Sequence, residues 1–216
     1  DADWVLYRCV HVDGEGRHTE YSGRSFESLD GREAFRESLH WGIHGVYAAR
    51  TWLFKQYPID DTCRHFSCDN TTRIHYYNSR RVYQSSANYY YLSNPNSISN
   101  QVTVSRMDYL GAICSMKRQL TAMNVGRDIL GLYENERLRV LVDCYLFYFK
   151  HRRQFSVEDR RYCLAELKAS LESLDTSLLD KRWLLKFGYM PCRKSWTLFK
   201  LQEEAYFFLK KLAGRL

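Results

Sequence analysis

Asp69-Asn70-Thr71-Thr72-Arg73-Ile74-His75-Tyr76-Tyr77-Asn78-Ser79, then Arg81-Val82-Tyr83-Gln84, Tyr89-Tyr90-Tyr91 and Ser93-Asn94-Pro95-Asn96-Ser97-Ile98-Ser99-Asn100, is the stretch on which the reading of this chain turns. Its acidic first residue opens a segment, 70–79, that reads as a helix. The β-branched and aromatic residues at 81–84 and the triple tyrosine predict strand, and the Ser/Asn/Pro cluster ends it with turn chemistry. A carboxylate near tyrosines defines no chemistry by itself. Asp69 is equally suited to capping the helix, and Arg73 stands four residues on, at the spacing of a helical ion pair. Successive tyrosines point to opposite faces of a strand, which favours packing over sugar stacking.

Working outward, Trp4 to Val12 is a near-continuous apolar run, as expected of a strand buried on both faces, and Asp13-Gly14-Glu15-Gly16 ends it. Ser25 to His40 carries Phe26, Leu29, Phe35 and Leu39 at helical spacing, with Gly31 weakening the middle. Ile43 to Phe54 is apolar with small residues, and Pro58 and Asp60-Asp61 break it. Beyond Asn100 the periodicity is helical throughout: Val104 to Met123, Glu134 to Lys150, and a helix opened by the box Ser156-Val157-Glu158-Asp159 with Leu164, Leu167, Leu171 and Leu174 as its stripe. The expected fold is α/β, with a few strands in residues 1–103 and a mainly helical region in 104–216.

The 216 residues are enough for a sizeable core, and 45% hydrophobic with 26% charged residues is ordinary for a globular protein. The aromatic content is high, with 17 Tyr, 11 Phe and 5 Trp, suited to cores, sugar faces and membrane interfaces alike. Seven cysteines stand without zinc-ligand spacing, and His40, His44, His65 and His75 show none either, so both sets read as structural. The longest apolar run, Val140 to Phe149, is interrupted by Asp143 and too short to span a bilayer. The chain opens on Asp1-Ala2-Asp3 just as a strand starts, without an initiator Met, which reads as part of a longer polypeptide.

Net charge is confined to the end. Residues 181–216 hold nine Lys and Arg against Glu203 and Glu204, an excess of +7 that equals the net charge of the whole chain. Trp183, Phe187, Tyr189, Trp196 and Phe208 interleave with these cations, which suits either an anionic membrane surface or a terminal helix docked on the bundle. A neutral tyrosine region and so local a charge argue against nucleic acid.

The order of these motifs resembles the acceptor-side portion of a family 2 glycosyltransferase of the GT-A (Rossmann-like) fold. Cys68-Asp69 stands at the Glu-Asp motif of that family, Tyr89 follows Asp69 by the usual 20 residues, His44-Gly45-Val46-Tyr47-Ala48-Ala49-Arg50 resembles its His-Gly-Lys-Leu-Tyr-Arg-Arg stretch, and Ser97-Ile98-Ser99 its Ser-Ile-Ser/Thr. The resemblance covers residues 3 to 100 and departs at Cys68, Val46 and Leu92, where Glu, Lys and Arg are usual. It implies an inverting enzyme of cell-surface polysaccharide synthesis that moves a sugar from a nucleotide-sugar donor to a saccharide or lipid-linked saccharide. It makes Asp69 the catalytic base and His44, Arg73, Tyr91, Asn94 and Ser97 the candidates for acceptor binding. It further implies a divalent cation, Mg or Mn, in the complete enzyme, with no ligands for it in this chain, and a place in the cytoplasm or on the cytoplasmic face of a membrane. The donor half of the site, with its Asp-x-Asp motif, has no counterpart here; Asp1-Ala2-Asp3 precedes a strand rather than ending one, so these residues alone are expected to be inactive. The competing reading is a non-catalytic module that binds membranes or nucleic acid through its basic aromatic tail.

Overall fold

Trp4–Val12 forms β1, the central strand of a five-stranded sheet. The computed structural model describes residues 2–21, 23–43, 46–95, 97 and 100–215 and divides into two compact units, Asp1–Asp61 with Ser67–Gln101, and Thr62–Phe66 with Val102–Leu216.

In the first unit β1 runs parallel to β5 (Val82–Leu92), from Trp4 opposite Val82 to Val12 opposite Leu92, with a register shift between Leu6 and Arg8. Its other edge is shared antiparallel by β2 (His18–Glu20) and β4 (Tyr47–Ala49), and β3 (Ser28–Leu29) pairs with the start of β5. Three helices accompany the sheet: α1 (Gly31–Leu39), α2 (Thr51–Gln56) and α3 (Cys68–Asn78). Two-faced burial of β1 is not found. Trp4, Leu6, Cys9 and Val10 are buried while Arg8 and His11 face solvent, so only part of the strand lies in the core. That core gathers Trp4, Leu29, Phe35, Leu53, Ile74, Tyr76 and Val82, and the Trp4 ring lies 4.0 Å from Tyr47 and 4.9 Å from Tyr76. Asp3 is buried and accepts from the Arg80 backbone N–H at 2.8 Å, Nε at 3.0 Å and Nη2 at 2.9 Å, which ties the start of β1 to the turn before β5.

Helix α1 begins six residues later than its apolar spacing suggests. Asp30 accepts from the Glu33 N–H at 2.8 Å and caps it. Gly31 is therefore its first residue rather than a weakness in the middle. A Cβ there would lie 2.1 Å from the Ser79 carbonyl oxygen and 2.4 Å from that of Tyr76, so only glycine lets α1 approach the end of α3 so closely.

The second unit is helical: α4 (Asp108–Ala122) after a 3-10 turn at Val104–Met107, α5 (Arg127–His151), α6 (Val157–Glu172), α7 (Lys181–Leu185) and α8 (Trp196–Leu212). Segment Thr62–Phe66 belongs to it. Phe66 stacks on Tyr109 at 3.7 Å and His65 Nδ1 lies 2.8 Å from Asp108 Oδ2. Met107, Leu110, Met116, Leu138, Leu141, Tyr145, Leu167, Phe199 and Phe207 are among the buried residues that make the core. Inside it lies an ionic knot. Glu134, fully buried, accepts from Lys117 Nζ at 2.5 Å, Arg137 Nη1 at 2.8 Å and the Asp175 N–H at 2.6 Å. A buried carboxylate is stable only when paired and hydrogen-bonded in this way.

Candidate active site around Asp69

The first turn of α3 is held by its neighbours rather than by Asp69. Ser67 occupies the cap position, and its hydroxyl donates to the Asp60 carbonyl at 2.6 Å. Asn70 Nδ2 donates to Asp60 Oδ2 at 2.7 Å, and Thr71 Oγ1 accepts from the Asp60 N–H at 2.8 Å. One turn further, His75 is buried with Nε2 2.6 Å from the Tyr57 carbonyl oxygen, and burial lowers its pKa. The polar side of α3 therefore fixes the loop 57–60, and Asp69, which reads in sequence as a possible cap, is released from that duty.

Asp69 is half-buried, and among the described residues no hydrogen bond or ion pair reaches its carboxylate. It stands in the wall common to two pockets. The larger, of about 250 Å³, is lined by Tyr47, Phe54, Ile59, Cys68, Thr71 and Thr72; the smaller, of about 30 Å³, by Ser38, Trp41, Ile43, Thr72, Arg73 and Tyr76. A helix start favours an ionised carboxylate, yet here burial wins: it pushes the Asp69 pKa up, and the positive charge of Arg73 offsets this only in part.

Arg73 is buried, with its guanidinium 5.5 Å over the Trp41 ring and Nη2 3.4 Å from the Ser38 carbonyl oxygen. It is no surface ion pair but a buried charge that lines the smaller pocket beside Asp69. Trp41 is nearly half exposed and holds a left-handed φ of 61°, unusual for a bulky residue, and its carbonyl accepts from the Tyr21 hydroxyl. Backbone strain of this kind is retained where surrounding structure enforces it, often at ligand sites. Trp41, Tyr47 and Phe54 escape the sequence reading; the Trp41-Gly42 pair in a turn was the available signal.

Of the other sequence candidates, Tyr91, Asn94 and Ser97 line neither pocket. Tyr91 is exposed on β5 with its ring 5.3 Å from His11, and Tyr89 and Tyr90 are exposed as well, so the triple tyrosine is not core packing. Asn94 accepts from the Ser97 N–H at 3.0 Å and from Asn100 Nδ2 at 2.8 Å, in the turn that follows the strand. His44, Gly45, Ile98 and Ser99 fall outside the described residues. The residues present do not fit the Mg or Mn that the resemblance implies: among the described residues no three His, Cys, Asp or Glu side chains gather, and Asp3 is fully engaged by Arg80.

A curled sheet of few strands in the first unit and the helices of the second make up an α/β fold. It is similar to the crystal structure of S. aureus TarS, residues 1–349, in complex with UDP-GlcNAc, with a TM-score of 0.64 and 15% identity over 95% of this chain. The chain spans 59% of the length of that structure. No protein-family model matches the chain, and no curated protein matches it in sequence.

Proposed function

We propose that this chain carries the acceptor-side part of an inverting, family 2 type glycosyltransferase, with Asp69 as the general base. The observation that carries the reading is a half-buried carboxylate, free of hydrogen-bond partners among the described residues, between two pockets of a glycosyltransferase-like fold. In the reaction the acceptor hydroxyl gives its proton to an Asp69 oxygen while the hydroxyl oxygen attacks the anomeric carbon. The bond from that carbon to the nucleotide's phosphate oxygen breaks, and the configuration inverts. An oxygen without hydrogen bonds, in a site that raises its pKa, is the better proton acceptor. Tyr47, Phe54 and Ile59 offer flat apolar walls for a sugar ring, and the threonine hydroxyls offer hydrogen bonds. The donor is a nucleotide sugar, with UDP-GlcNAc the first to try because TarS binds it. The acceptor is a saccharide or lipid-linked saccharide of cell-surface polysaccharide synthesis, met on the cytoplasmic side.

Asp69→Asn in the full-length protein should lower sugar transfer by about 10²–10⁴-fold, the usual contribution of a general base. Calorimetry should find UDP-GlcNAc binding unchanged. Near-normal turnover of the Asn variant would sink the assignment.

A further inference from the structure

Helix α8 is apolar on two separate faces. One is buried in the second unit through Phe199 and Phe207. The other is open: Leu198, Leu201, Phe208, Leu209 and Leu212 are 57%, 63%, 55%, 55% and 70% exposed. With Ala205 between them, their spacing of three and four residues makes one continuous stripe about 100° wide. The stripe amounts to an apolar patch of roughly 500 Å², at the upper end of what a monomer exposes without a purpose. The segment 181–190 adds to it. Leu185 is 83% exposed, and Phe187 meets the Tyr206 ring edge-on at 5.7 Å, which sets it beside α8.

Charge selects the occupant. Residues 181–216 carry nine cations and two acidic residues; Glu203 is fully buried, Glu204 is bonded by Arg152 Nη1 at 2.6 Å, and of the cations Arg182 is paired with Asp180 at 3.2 Å. Lys186 lies 4.7 Å over Trp183 and 4.4 Å over Tyr189, and Lys210 lies 4.9 Å over Tyr206, so cations rest on aromatic rings of the same elements. A second copy of the chain would bring the same excess of +7 against itself, which repels. Leucines do not stack on nucleic-acid bases. An anionic bilayer answers both halves of the surface, since aliphatic side chains enter the acyl boundary while Lys, Arg, Trp and Tyr sit among headgroup phosphates. No described helix is long and apolar enough to cross a membrane, so the contact would be in the plane of the interface.

We propose that the open face of α8, with the segment 181–190, docks on an anionic phospholipid bilayer. This rests on the second unit alone and holds whether or not Asp69 is a catalytic base. The intact protein is sedimented with phosphatidylcholine vesicles that contain or lack phosphatidylglycerol, at low and high salt. It should pellet with the anionic vesicles and be released by salt. Leu201→Ser with Phe208→Ser should weaken binding roughly 100-fold, about tenfold for each exposed side chain withdrawn from the acyl boundary. Lys211→Gln should weaken it about fivefold. An unchanged circular dichroism spectrum and melting temperature would confirm that these surface changes leave the fold intact. Failure to pellet, equal pelleting with neutral vesicles, or pelleting indifferent to the serine variants would each overturn the proposal. So would a dimer, seen by sedimentation velocity without lipid, that the serine variants dissolve while vesicles leave the protein in solution.

Discussion

Asp69 and Arg73 stand one helical turn apart on α3, and among the described residues no direct ion pair joins them. The guanidinium acts across space, lowering a pKa that burial raises. Taking the charge away in Arg73→Gln should let the Asp69 pKa rise further. A base works only when deprotonated, so the acid limb of the pH profile of kcat/KM should move to higher pH, and an unmoved limb would show that the two groups are uncoupled. Trp41 calls for a different measurement. If its exposed ring forms a sugar platform beside Asp69, Trp41→Ala should raise the acceptor KM by roughly tenfold and leave kcat nearly unchanged. At this scale the sequence singles out Asp69 through its distance from the triple tyrosine, and the fold sets it between two pockets. Trp41, Tyr47 and Phe54 were not legible, because they reach the pockets by folding from a separate stretch of chain.

Elements were legible where a local signal agreed with burial. Helix α6 starts where Ser156 accepts from the Asp159 N–H at 3.0 Å, and Leu167 and Leu171 of its stripe are buried. Helix α5 starts at Arg127, seven residues before its apolar periodicity becomes readable. The reason lies in Gly131 and in the run Glu134-Asn135-Glu136-Arg137, which looks like a solvated turn of helix yet is buried around the ionic knot. No local pattern predicts that Lys117 and the Asp175 N–H will arrive to pair Glu134. Gly31 was misread for a similar reason, since its requirement comes from two carbonyls more than 40 residues away. Gly31→Ala should cost about 1–3 kcal/mol by overpacking α1 against the end of α3. Chemical denaturation would measure it, and an unchanged midpoint would mean that the close approach is dispensable.

Across the whole molecule, an α/β portion followed by helices could be read from periodicity, but the order of strands could not. The parallel pairing of β1 with β5 joins residues about 80 positions apart, and nothing in either strand names the other. Charge on this scale makes its own prediction. Glu203 is fully buried, and burial pushes its pKa up from 4.5 to about 8, with its Oε2 left without a hydrogen-bond partner among the described residues. The folded state therefore holds a proton that the unfolded chain gives up. The resulting stabilisation is complete below the unfolded value of 4.5 and is lost as pH rises towards the folded value of about 8. Stability should fall by a few kcal/mol across that window. Glu203→Gln, which cannot ionise, should flatten the decline of melting temperature with pH. An equally steep decline in the variant would place the titration elsewhere.

Segment Thr62–Phe66 belongs to the second unit although it lies within the sequence of the first. A single scission after Gln101 would thus leave the first piece still carrying Phe66, the ring that stacks on Tyr109, and would strip the other piece of it. For anyone dissecting this protein, the border between its parts is a strap buckled at three places along the chain, and no single cut divides it cleanly.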